Sequence, residues 1–91
     1  MIKMSEYQFR GFTIPEHVML SLRRYIEDHQ SVGHFLTAVL ENDLQEAVGR
    51  ADDHNLANLP AYIGYLYNEA PSNCWGSPQK VEKWLAREDK E

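Results

Sequence analysis

Four prolines, at positions 15, 60, 71 and 78, set the frame within which this chain can fold. Proline lacks a backbone N–H and clashes with the preceding turn, so it stands in a helix's first turn or beyond its end. Thr13-Ile14-Pro15-Glu16 therefore reads as a helix start, with Thr13 and Glu16 at capping-box spacing. Val18, Leu22, Tyr25 and Ile26 follow at helical spacing, and this helix is expected to end near Asp28-His29. Pro60 sits in the first turn of another helix, capped by Asn58, whose apolar stripe is Leu56, Leu59, Ile63, Leu66 and Tyr67. Pro71 ends that helix, because the residue before a proline avoids helical angles. Ser77-Pro78 reads as the cap and first position of a last helix that turns Val81, Trp84 and Leu85 inward.

The stretch between Ser31–Gly33 and Ala51 contains no proline. Leu36, Leu40, Leu44, Ala47, Val48 and Ala51 keep one helical phase, which favours a single long helix over 34–51. The alternative is a break at Asn42-Asp43, with Asp43 and Glu46 capping a separate helix. Asp52-Asp53-His54-Asn55 reads as a polar joint. In the first dozen residues Tyr7, Phe9 and Gly11 alternate with Gln8 and Arg10, a period of two that suits a short strand or an extended arm. The expected fold is all-α: one compact domain of four to five helices, with room for a short N-terminal extended segment. Residues 1–12 form the arm, 13–86 the helical core and 87–91 a frayed tail. Leu36, Leu40, Leu44, Ile63, Leu66, Val81, Trp84 and Leu85 are the expected core.

Size and charge narrow the function. Ninety-one residues leave room for one core, and at this length a domain buries only about 60–65% of its unfolded surface, which makes deep clefts rare. The one cysteine, Cys74, excludes an intramolecular disulfide, and the first residues carry no apolar signal segment, so a cytoplasmic setting is expected. The longest apolar run is far short of a membrane span. The net charge of −5 is uneven: residues 25–70 hold eight acids against Arg50 alone. Such a middle argues against broad phosphate-backbone binding and suits either a solvated face or a partner with a basic surface.

No constellation carries chemistry. His17, His29, His34 and His54 lack zinc-site spacing, and Asp52-Asp53-His54 does not converge unaided. No carboxylate pair, activated nucleophile or glycine-rich phosphate loop stands out. The expectation is a non-enzymatic chain with no cofactor or metal. Lys3, Arg10, Arg23 and Arg24 could touch phosphates, but residues 34–48 contain no Lys or Arg for a recognition helix. The loop Asn68 to Ser77 is unusual in spending a Trp and a Cys. Trp75 is either a lid over the core or an exposed anchor. The candidate partner-binding residues are Asn68, Asn73, Trp75 and Arg50.

Two segments carry a resemblance: Phe35 to Asp52, with Leu-x-Asn-Asp-Leu-x-Glu-Ala at 40–47, and Leu66 to Pro78, with Trp-Gly-Ser-Pro at 75–78. Together they resemble a group of small uncharacterised proteins encoded in bacteriophage and prophage genomes, over roughly residues 14–85. The resemblance implies a phage-related intracellular setting and transfers no site residue or activity. The expected function is a protein–protein interaction module that binds a host or phage protein, with self-association also open. The rival is a small nucleic-acid-binding regulator using Arg10, Arg23 and Arg24.

Overall fold

A computed structural model describes residues 7–87. The chain is mainly helical: 67% of the described residues lie in helices, beside one two-stranded sheet. The order is β1 (Tyr7–Phe9), β2 (Phe12–Ile14), α1 (Glu16–Asp28), α2 (His34–Leu40), α3 (Leu44–Arg50), α4 (Asp53–Ala57), α5 (Leu59–Glu69), a 3-10 turn (Ser72–Cys74) and α6 (Pro78–Leu85). The described residues thus hold six α-helices where four or five were expected. Residues 1–6 of the expected arm, Lys3 among them, and 88–91 of the expected tail lie outside the described residues.

The N-terminal alternation is a hairpin. β1 pairs antiparallel with β2, Tyr7 opposite Ile14 and Phe9 opposite Phe12. Arg10 and Gly11 make the turn at φ 52° and 87°, the double positive φ that a two-residue hairpin requires. The Arg10 guanidinium lies 5.2 Å over the Phe9 ring, an attraction that offsets part of the strain of a non-glycine residue there. Thr13 is consequently a strand residue and no cap. Its N–H donates to Asn58 Oδ1 at 2.9 Å, and Pro15 takes the N-cap position of α1 with no side-chain bond. The capping-box spacing misleads because β2 needs Phe12–Ile14 to close the sheet.

α1 buries Met19, Leu22 and Tyr25 and ends at His29 in the left-handed region, φ 58°. The His29 N–H and the Gln30 N–H close the last turn on Tyr25 O and Arg24 O. α2 buries Leu36, Ala38, Val39 and Leu40. The single long helix over 34–51 does not form. Asn42 turns to φ 62°, Asp43 N–H donates to Ala38 O at 2.9 Å, and Asp43 Oδ1 accepts the Glu46 N–H at 3.2 Å. Asn and Asp compete with the helix for its own backbone groups, and here they terminate one helix and cap the next. The break resets the phase: α3 turns Ala47 inward and leaves Leu44 66% and Val48 43% exposed.

The polar joint contains a short helix of its own, α4, capped by Asp52, whose Oδ1 accepts the Asn55 N–H at 2.7 Å. Asn58 holds the N-cap position of α5 but spends its amide elsewhere: Nδ2 donates to His54 O and Oδ1 accepts from Thr13. α5 buries Ala61, Tyr62, Gly64 and Leu66, while Ile63 is 39% and Tyr67 78% exposed. The helix is therefore rolled away from its aliphatic stripe. Tyr62 can be buried because its hydroxyl donates to Asn55 Oδ1 at 2.8 Å while its ring meets Phe35 edge-on. Small residues face the hairpin: Phe9 lies against Gly64, and Tyr7 packs edge-on to Tyr65.

The C-terminal third is fastened by buried hydrogen bonds. Trp84 Nε1–H donates to Tyr25 O at 2.8 Å, and Tyr25 Oη–H donates to Cys74 O at 2.7 Å. His29 stacks on Trp84 at 4.4 Å, with Nδ1 2.6 Å from Trp84 O. A carbonyl oxygen only accepts, so His29 Nδ1 carries a proton. Of the expected core, Leu36, Leu40, Leu66, Val81 and Trp84 are buried, Leu85 is half-buried, and Leu44 and Ile63 are exposed.

Candidate functional site

The loop between α5 and α6 is tied down along its length. Asn68 Nδ2 donates to Gly64 O at 2.9 Å, closing the last turns of its own helix. Cys74 is fully buried. Trp75 is half-buried and packs on the core. The next residue, Gly76, has φ 118°, a conformation that favours glycine. Its N–H donates to Leu40 O at 2.7 Å, binding the loop to the end of α2. Asn73 is exposed. Lys80 Nζ donates to Ser72 O, and Ser77 Oγ accepts the Lys80 N–H to cap α6.

Arg50 lies on α3, where its Nε donates to Glu46 at 2.6 Å. It helps line an open depression of about 320 Å³ between α2 and α3, with His34, Thr37, Ala38, Glu41, Asp43 and Glu46. The other basic candidates are dispersed. Arg10 is at the hairpin turn, Arg23 is paired with Glu27 at 3.4 Å on α1, and Arg24 is exposed. His17, His34 and His54 are exposed, and among the described residues no group of three His, Cys, Asp or Glu could hold a metal ion. No helix among them is long and apolar enough to cross a membrane.

A surface that the sequence reading assigned to the core lies where α2 and α3 meet α5. Leu44 and Ile63 stand at the lips of a notch, with Leu59 beside them and Ala38, Val39 and Ala47 at its floor. Val48 and Tyr67 follow Leu44 and Ile63 by four residues, one turn further along each helix, and are exposed as well. The notch has room for about 20 Å³, enough for one water-sized group and far below the several hundred Å³ of a small-molecule pocket. Helical spacing put Leu44 and Val48 in the stripe of Leu36 and Leu40, and Ile63 and Tyr67 in that of Leu59 and Leu66. It could not signal that these four are uncovered.

Two ionisable side chains are perturbed. Burial, and then the negative charge of Asp52, push the Tyr62 hydroxyl up to about 12. Burial raises that of Tyr65, with Arg23 opposing. Glu69, Cys74 and Glu27 add to the rise at Tyr65. The chain matches no known family model, curated protein or solved structure.

Proposed function

We infer that this chain is a non-enzymatic protein-binding module acting in the cytoplasm in a phage-related setting. One observation carries the reading: four large apolar side chains on two neighbouring helices, Leu44, Val48, Ile63 and Tyr67, are left in solvent by a domain that needs every apolar group it has. Exposed apolar surface of this kind marks interaction sites. The resemblance of residues 14–85 to small phage and prophage proteins supports the setting. The half-buried Trp75 and the exposed Asn73, in the loop that Gly76 ties to the end of α2, supply a second, smaller candidate surface.

The test is affinity capture from host-cell extract with the full chain and with Leu44→Ser and Ile63→Ser. Leu44→Ser, at a position 66% exposed, should shift melting by only about 0.5 kcal/mol equivalent or less, and Ile63→Ser, at 39%, by about 1–2 kcal/mol. Specific partners lost in both variants support the reading. Capture that is identical with all three proteins refutes this face, and the absence of any specific partner refutes the module. The rival function, nucleic-acid regulation through Arg10, Arg23 and Arg24, requires tight binding to duplex DNA that weakens steeply with salt.

A further inference from the structure

We propose that the α3–α5 face receives an amphipathic, cationic helix of a partner protein. Its apolar side chains would seat on Leu44 and Ile63, and its Lys or Arg side chains over the acidic depression beside them. The proposal rests on the protein-binding reading above and specifies what binds.

Three features of the surface select this occupant. The first is shape. Leu44 on α3 and Ile63 on α5 line one notch, and Val48 and Tyr67 are exposed one helical turn beyond them, so apolar side chains of two helices flank a groove of the kind that receives a helix. A notch of about 20 Å³ admits the end of one side chain and excludes a small-molecule ligand as the occupant.

The second is charge. The apolar notch and the α2–α3 depression are neighbours, since Ala38 and Asp43 line both. The depression carries Glu41, Asp43 and Glu46 against Arg50, a net charge of −2 with His34 neutral. Arg50 is already held by Glu46 and one oxygen of Asp43 caps α3, which leaves Glu41 and the other Asp43 oxygen to face a ligand. Lips and depression together are apolar on one side and anionic on the other. The complement is apolar on one side and cationic on the other.

The third excludes a second copy. A two-fold dimer would place this face on itself. Each protomer would then bring its own net charge of −2 against its partner's, since Arg50 is the one base of the depression and is already paired with Glu46. Like charges brought together by an interface oppose association.

The experiment uses the full chain and a fluorescein-labelled synthetic peptide with Leu on one helical stripe and Lys and Arg elsewhere. Two control peptides keep its length: one shuffles the sequence to abolish the stripe, the other replaces Lys and Arg by Glu. Fluorescence anisotropy should show saturable binding of the cationic amphipathic peptide, with both controls at least roughly tenfold weaker. Leu44→Ser and Ile63→Ser should each weaken it by about fivefold or more, with the fold retained. Glu41→Gln with Asp43→Asn should weaken it and flatten its salt dependence, and Asn is as good a helix cap as Asp, so α3 should persist. Equal binding of the Glu peptide, indifference to Leu44 and Ile63, or no binding would overturn the proposal. So would concentration-dependent dimerisation abolished by Leu44→Ser, since it would give the face to a second copy. If capture from extract depends on Leu44 and Ile63 while the peptide fails, the cationic helix falls and the protein-binding reading stands.

Discussion

Gly64→Ala should destabilise this protein, although replacing glycine by alanine inside a helix ordinarily does the reverse. The ordinary gain is about 1 kcal/mol, because alanine loses less backbone freedom on folding. At Gly64 the added Cβ would stand 2.6 Å from Phe9 Cδ1, 2.7 Å from Cγ and 2.9 Å from Cε1. Carbon atoms pack at about 3.5–4.0 Å, so the ring must retreat by about 1 Å. The Cγ atom is at the root of the ring and cannot swing away alone. Moving it drags β1, which is paired to β2 and held by Arg10 over the same ring. Overpacking of this kind costs about 1–3 kcal/mol. Subtracting the helix gain leaves a net loss of about 0–2 kcal/mol, and for a domain of this size each 1 kcal/mol moves Tm by about 4–8 °C.

The assay is thermal melting by circular dichroism on the parent, Gly64→Ala, Phe9→Ala and the double variant. Phe9→Ala removes the obstruction, so in that background Gly64→Ala should become stabilising by up to about 1 kcal/mol. The coupling between the two sites should then be about 1–3 kcal/mol. Gly49→Ala in α3 is the internal control: its Cβ meets nothing within 4 Å, so it should raise Tm. A Gly64→Ala protein that melts above the parent, or that changes stability equally with and without Phe9, would refute the close packing of hairpin on helix.

Three further outcomes are expected. Leu40→Ala, at a fully buried position, should cost about 2–5 kcal/mol, whereas Leu44→Ala four residues on should cost about 0.5 kcal/mol or less; equal losses in urea melts would restore the single long helix. Trp75→Ala should lower stability by about 1–3 kcal/mol, below the 3–5 kcal/mol of a fully buried aromatic, since the ring is half-buried on the core; an unchanged melt would free Trp75 from the core. Tyr62 has its hydroxyl raised to about 12 by burial and then by Asp52, against about 10 in the unfolded chain. Its contribution is thus fully present below pH about 10 and is lost as pH rises toward about 12, because only the unfolded chain releases the proton there. Urea midpoints across that window should fall less steeply for Tyr62→Phe than for the parent.

What the sequence made legible was local. Pro60, Pro71 and Ser77-Pro78 mark real helix borders because proline and a capping serine act on their own backbone neighbourhood. The break at Asn42 was legible only as an alternative, since it rests on two adjacent residues, Asn42 at φ 62° and Asp43 at φ −100°, ψ 87°. The hairpin turn gave no cue, because Arg10 at positive φ lacks the Asn-Gly or Asp-Gly signature. The exposed face was illegible for a deeper reason. A helix stripe that packs on its own core and one kept for another molecule obey the same periodicity. Only the roll of α5, set by Tyr62, Ala61 and Gly64 fitting against their neighbours, decides that Ile63 points outward. Tyr25 stood in the expected stripe of the first helix, but its bond to Cys74 O, 49 residues on, had no local signal.

The bonds joining Tyr25 to Cys74 and to Trp84 also govern how the chain can fold as it is made. Synthesis proceeds from the N-terminus, and Tyr25 precedes its partners by 49 and 59 residues. Until Trp84 has been added, the indole N–H bond that fastens the Tyr25 carbonyl of α1 to α6 is not yet made. The earlier helices can form, but the tie between α1 and α6 waits for Trp84. A nascent chain stalled before that residue presents α1 without it.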